Sequence, residues 1–91
     1  MGKTTDAITN FEKAVKLDPA HADAQYNLGL TLLTNWNLES AVLHFKKAIE
    51  LRPTYNDAYY NLGRTYFRQG KNDEAAEQFQ LVIKSQPYYT E

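Results

Sequence analysis

An all-α array of antiparallel helix pairs, stacked side by side, is what this sequence predicts, and three observations carry the prediction. Proline recurs at a fixed interval, with Pro19, Pro53 and Pro87 spaced 34 residues apart. Phe11, Phe45 and Phe79 keep that interval, as do Ala7, Ala41 and Ala75. Between the prolines two stretches almost repeat, "DAQYNLGLT" at 23–31 and "DAYYNLGRT" at 57–65. Self-similarity at a period of roughly 20–50 residues marks repeat architectures, whose units cover their apolar faces by stacking on one another.

The elements follow in order. "TTDAITNFEKAVKLD" (4–18) places apolar residues three and four apart and stops before Pro19, whose ring disfavours helical geometry in the preceding residue. "ADAQYNLGLTLLTN" (22–35) is a helix of a different type. "LESAVLHFKKAIELR" (38–52) returns to the first type and stops before Pro53. "DAYYNLGRTYFRQ" (57–69) and "NDEAAEQFQLVIKSQ" (72–86) repeat the pair. Thr54 with Asp57 has capping-box spacing, and Gly70 suits a left-handed helix terminator. Asp6, Asp73 and Glu74 stand where acids favour a helix N-terminus. The order is therefore B-A-B-A-B in a single domain. It divides into half a repeat at 1–21, full repeats at 22–55 and 56–89, and the opening of a further helix at 90–91.

Mid-helix Gly29 and Gly63 need a cause, because glycine there costs about 1 kcal/mol relative to alanine. The matching small residues Ala41 and Ala75 lie on the returning helix, so the expectation is that facing small residues let the axes approach. Ala14 and Ala48 repeat the device farther along.

With these residues in view, the chain resembles the tetratricopeptide repeat family. The family pattern of Leu-Gly-x-x-Tyr, Ala, Phe, Ala and Pro is met by Leu62, Gly63, Tyr66, Ala75, Phe79 and Pro87. The preceding copy has Leu28, Gly29, Ala41, Phe45, Ala48 and Pro53. Departures are Leu32 for the tyrosine, Gln25 for a large apolar residue, Val82 for alanine and Trp36 for the turn glycine. The resemblance implies a right-handed superhelical solenoid and a protein-binding scaffold. It also implies that the array continues past both ends. Phe11, Val15, Phe79, Val82 and Ile83 are then expected to lack a covering helix. A homodimer through these terminal helices would relieve the exposure.

Composition narrows the function. Ten Lys+Arg against 11 Asp+Glu leave no basic footprint for nucleic acid. No apolar run approaches the roughly 20 residues of a membrane helix, and no signal peptide is present, so a soluble, cytoplasmic chain is expected. Cysteine is absent, which removes disulfides and thiolate metal sites. "MGKTTD" fails as a myristoylation start because Asp6 replaces Ser or Thr. "GKTT" mimics the end of a phosphate loop, without the strand and glycine-rich turn such a loop needs. His21 and His44 have no partner at metal-ligand spacing and read as surface residues. No serine or threonine lies in a nucleophile motif, so neither catalysis nor a cofactor is expected.

The binding face is expected on the A helices. At 100° per residue Gln25, Leu28, Gly29 and Leu32 form the core side. Asp23, Tyr26, Asn27, Leu30, Leu33 and Thr34 point the other way, and their counterparts are Asp57, Tyr60, Asn61, Arg64, Phe67 and Arg68. The resemblance makes these positions the lining of a concave groove that holds an extended peptide, with Asn27 and Asn61 bonding the ligand backbone. The alternative is that the aromatics wedge adjacent A helices together. The clamp that grips chaperone tails is not matched, because Tyr26, Tyr60, Asp23 and Asp57 replace its basic positions.

Trp36 stands where the other copies read "GK", at 2–3 and 70–71. Tryptophan at positive φ costs about 1–2 kcal/mol, and asparagine tolerates that region better. The expectation is that Asn35 or Asn37 takes the left-handed position and Trp36 stays at negative φ. Its ring then lies over its own turn or projects as an apolar anchor on the array edge.

Overall fold

The structure, a computed structural model, describes residues 2–85 and the side chains from Asp6 to Lys84. Its helices are α1 (Gly2–Leu17), α2 (Ala22–Thr34), α3 (Leu38–Leu51), α4 (Asn56–Arg68) and α5 (Asn72–Ser85). No strand occurs among the described residues. The expected turn at Met1, Pro87 and the expected helix opening at 90–91 lie outside them. Four of the five helices begin and end within one residue of expectation. The exception is α1, which runs through Gly2 and Lys3, where a turn was expected. Its first turn consequently holds no acid, so Asp6 does not serve the helix dipole, whereas Asp73 and Glu74 do sit in the first turn of α5.

Packing is strictly local. Among the described residues α1 meets α2, α2 meets α3 and α4, α3 meets α4, and α4 meets α5. The shared core is Leu28, Leu32, Leu33, Ala41, Phe45, Leu62, Tyr66 and Ala75. Phe11, Val15 and Phe79 pack half-buried against it, so these three are less bare than expected, and Ile83 is the one that is clearly exposed.

The glycines act through a different partner from the one expected. A Cβ on Gly29 would lie 2.7 Å from Cε1 of Phe45, and one on Gly63 would lie 2.7 Å from Cε1 of Phe79. The helices approach so that a phenylalanine ring can lie flat on bare backbone. Ala41 and Ala75 are fully buried, but they are not the nearest groups to the glycines.

The A-to-B turns correct the reading of Trp36. Its φ is +63°, inside the left-handed region, while Asn35 and Asn37 have φ of −90° and −85°. Hydrogen bonding fixes this. Trp36 N–H donates to Leu33 O (3.0 Å) and Asn37 N–H to Leu32 O (2.8 Å). Gly70 and Lys71 make the same two bonds to Phe67 and Tyr66, at 3.0 and 2.8 Å. Both turns are Schellman motifs, in which the residue after the C-cap must be left-handed. That slot belongs to position 36 whichever neighbour would tolerate it better. Trp36→Gly removes about 1–2 kcal/mol of strain and forfeits a ring contact worth about 0.5–1 kcal/mol. The expected result is a small net stabilisation, read as a melting temperature a few degrees above wild type. A lower melting temperature would show that the ring contact outweighs the strain.

Helix starts also differ from expectation. Thr54 and Asp57 form no capping box, because α4 begins at Asn56 with Tyr55 as its N-cap. The equivalent residue His21 caps α2, its Nδ1 accepting from Ala24 N–H at 3.1 Å. Tyr55 makes no such bond, and its hydroxyl goes elsewhere.

Candidate functional site

Of the expected groove residues, several are already occupied in joining one repeat to the next. The Tyr26 ring lies 4.8 Å from that of Tyr55 and 5.8 Å from that of Phe45. Its hydroxyl accepts from Asn61 Nδ2 at 2.9 Å. The same Nδ2 donates to Asp57 O (3.0 Å), and Asn61 Oδ1 accepts from Arg64 Nη1 (3.1 Å). At 6% exposure Asn61 is buried with its amide in use, so it does not face the open side. Asn61→Ala should cost about 1–3 kcal/mol, the range for a buried polar group left without its partner. Half-buried Asn27 changed to alanine should cost well below 1 kcal/mol. Urea midpoints compare the two, and equal midpoints would contradict the inter-repeat role of Asn61.

A second link lies beside the first, around the same Tyr55 ring and nearer the helix N-termini. The Tyr55 hydroxyl donates to Asp23 Oδ1 at 2.6 Å, and Arg52 Nη1 stands 3.4 Å from the same oxygen and stacks 4.4 Å above the Tyr55 ring. The Tyr55 hydroxyl holds Asp23 below the usual carboxylate range, with burial opposing and Arg52 assisting. Burial raises Tyr55 well above an ordinary phenol, and the Asp23 bond adds to it. Burial also raises Tyr26, and the charge of Asp57 contributes. Both arginine and aspartate are about half exposed, so their ion pair is worth little by itself. The specific contact is the phenol–carboxylate bond.

Leu33 leaves the groove altogether. It is 3% exposed and belongs to the core, because the last turn of α2 is covered by the neighbouring repeat. Leu30 is half-buried, and the exposed Thr34 hydroxyl donates back to Leu30 O at 2.9 Å. What stays open is on α4. Tyr60 is 50% and Phe67 65% exposed, with Arg64, Arg68 and Asp57 beside them on the same side. The Arg64 guanidinium lies 6.0 Å from the Tyr60 ring centre, and Tyr60 rests against Phe79 at 5.8 Å.

Trp36 is 64% exposed and its ring carries the Arg68 guanidinium 4.7 Å above it. Arg68 Nη1 also donates to Leu33 O at 3.3 Å. The ring projects at the array edge and forms a platform for a side chain of the next repeat.

One partner was missed in the sequence. His44 is half-buried, and its Nδ1 lies 2.8 Å from Gln25 Oε1, while Gln25 Nε2 donates to Pro19 O at 3.1 Å. Burial lowers the His44 pKa, Lys47 adds to the effect and Glu12 opposes it. His44 is thus the partner of a core amide. The signal was present, because a glutamine on the core side requires a hydrogen-bonding partner. Gln69 Oε1 is a buried acceptor with no donor among the described residues. No group of three His, Cys, Asp or Glu suited to a metal stands together among them.

Comparison with known families decides the matter of kinship. A family profile described as TPR repeat matches residues 1–35 and 37–70, and profiles described as Tetratricopeptide repeat match 21–52 and 56–89. The chain belongs to the tetratricopeptide repeat family. Among solved structures it is similar to a crystal structure of MamA, at 36% identity over 92% of this chain and 49% of that one, with a TM-score of 0.90. It is similar also to MamA 41-end from Desulfovibrio magneticus RS-1, at 29% identity over 94% and 49%, with a TM-score of 0.90. YrrB, described as a TPR protein with an unusual peptide-binding site, shares 28% identity over 94% and 44%, with a TM-score of 0.90. The chain thus spans about half the length of each of these structures. A comparison with curated proteins finds no match. No helix among the described residues is long and apolar enough to cross a membrane.

Proposed function

We propose that this tetratricopeptide segment is a protein-interaction scaffold, not a catalyst, and that the open face of α4 with the adjoining surface of α2 takes an extended peptide of a partner. The observation that carries this reading is the pair of exposed aromatics, Tyr60 and Phe67, flanking Arg64 on a helix whose opposite side is already committed to the core. Aromatic and arginine side chains are the groups that anchor interfaces. Membership of the family, and the peptide-binding site of its structural neighbour YrrB, point the same way. The set narrows to Asn27, Leu30, Thr34, Asp57, Tyr60, Arg64, Phe67 and Arg68, since Leu33 is in the core and Asp23, Tyr26 and Asn61 are engaged in inter-repeat bonds. Display of random peptides on the wild type should enrich a sequence class that Tyr60→Ser with Phe67→Ser no longer captures. Enrichment unaffected by that double change would place the ligand elsewhere.

A second reading rests on its own observation. In the inner repeat the counterparts Tyr26 and Leu33 are covered by α4 and its approach loop, so the open α4 face is also what a further repeat or a second copy would cover. On this reading the unit self-associates, with Ile83 and Phe67 at the contact. Sedimentation equilibrium at high micromolar concentration separates the two, and a strict monomer would remove the second.

A further inference from the structure

We propose that the corner made by Trp36 and Arg68 is a docking site for an acidic segment of a partner protein, in which the Arg68 guanidinium, held on the Trp36 indole, grips a carboxylate of that segment. The site borders the end of the α4 face, with which it shares Arg68, and Trp36 sets it apart. Tyr60 and Phe67 lie on the side where the next repeat would pack, but Trp36 is exposed although α4 is already packed against α2.

Backbone strain gives the first argument. The equivalent turn fills its left-handed slot with Gly70, so the fold does not require a tryptophan at φ +63°. Strained residues of this kind persist at ligand clamps, where the cost is offset by function. The second is the preparation of Arg68. One Nη donates to Leu33 O and the guanidinium plane lies over the indole. A guanidinium has five N–H donors in a fixed fork, so donors remain for a carboxylate after one is used. Its rotamer freedom is already spent before a ligand arrives, which favours binding.

Charge gives the third. The only carboxylates on α2 and α4 are Asp23 and Asp57, both in first turns, while the later turns of α4 carry Arg64 and Arg68. On the side of Trp36 away from Arg68 lies a wide-open depression lined also by Asn37, Leu38, Glu39, Ser40, Gln69 and Lys71. Glu39 is the one carboxylate in that lining, offset by Lys71, and Asp73 and Glu74 do not line it.

Trp36 is the only tryptophan of the chain, so its emission reports on the site directly. The probes are two synthetic peptides, acetyl-EEFEE-amide and acetyl-KKFKK-amide. The acidic peptide should shift Trp36 emission saturably, with an affinity that falls as salt is raised, and the lysine peptide should give no saturable response. Arg68→Gln should weaken the acidic peptide about tenfold or more, in line with loss of a charged pair. Arg68→Lys, which keeps the charge without the fork, should weaken it less and serves as the test if Arg68→Gln does not fold. Tyr60→Ser with Phe67→Ser should leave the response intact. No saturable response, an equal response to both peptides, or unchanged affinity in a folded Arg68 variant would overturn the proposal. Loss of the response in the Tyr60 and Phe67 variant would also overturn it, by placing the acidic peptide in the α4 groove.

Discussion

Truncating Phe45 to alanine is expected to remove a large part of the stability of the whole array. The ring is 0% exposed, lies on Gly29, faces Tyr26 and sits in the core between the two full repeats. Phenylalanine-to-alanine changes at such sites cost about 3–5 kcal/mol, since transfer and cavity terms add. A domain of this length holds about 5–14 kcal/mol in all. Melting should therefore fall by at least about 12 °C, at some 4–8 °C per kcal/mol. Phe79→Ala, at the equivalent but half-buried position, should cost clearly less. Equal shifts in circular dichroism melts would mean that Phe45 is not the keystone contact described here.

The reverse change at the same contact should be at least as damaging. Gly29→Leu places a Cβ 2.7 Å from Phe45 Cε1 and 2.8 Å from Cδ1, inside any tolerable separation. Overpacking usually costs about 1–3 kcal/mol, and here the excess is expected because Phe45 is enclosed and has nowhere to turn. At Gly63 the opposing ring is Phe79, only half-buried, which can swing toward solvent. Gly70 has nothing within 4 Å of its virtual Cβ, and alanine there meets only the strain of φ +81°. Urea midpoints should rank Gly29→Leu below Gly63→Leu and both well below Gly70→Ala. A Gly63→Leu protein as unstable as Gly29→Leu would show that burial of the opposing ring does not set the cost. Gly29→Ala combined with Phe45→Leu should recover part of the loss, since the two share one contact.

Helix number, type and the stops before prolines were legible in the sequence because the prolines and the period of apolar residues record them directly, whereas the start of α1 was not. The partner of the mid-helix glycines was not. Ala41 and Phe45 are one turn apart on the same side of α3, and a helical wheel cannot tell which of them touches Gly29. Trp36 was misjudged because residue preference was weighed where hydrogen-bond register decides. The Schellman bonds of Trp36 and Asn37 leave one left-handed slot, and it falls on the tryptophan. The wheel also placed Asn61 and Leu33 on the open side of their helices, and each does point away from its own helix partner. Whether a neighbouring repeat then covers such a residue depends on the spacing between repeats, which no single helix encodes. Tyr60, Arg64 and Phe67 share the phase of Tyr26, Leu30 and Leu33, and they stay exposed because no described helix packs over that face of α4.

Three of the side-chain bonds between neighbouring repeats span nearly one period. Asp23 meets Tyr55, Tyr26 meets Asn61 and Leu33 meets Arg68, at separations of 32, 35 and 35 residues. Among the described residues no contact between helices reaches past the adjoining unit. Pulled along its length, such a molecule has no long-range clasp that must break before anything else can yield. It should pay out as a staircase, each step freeing one 34-residue unit, or about 110–120 Å of extended chain.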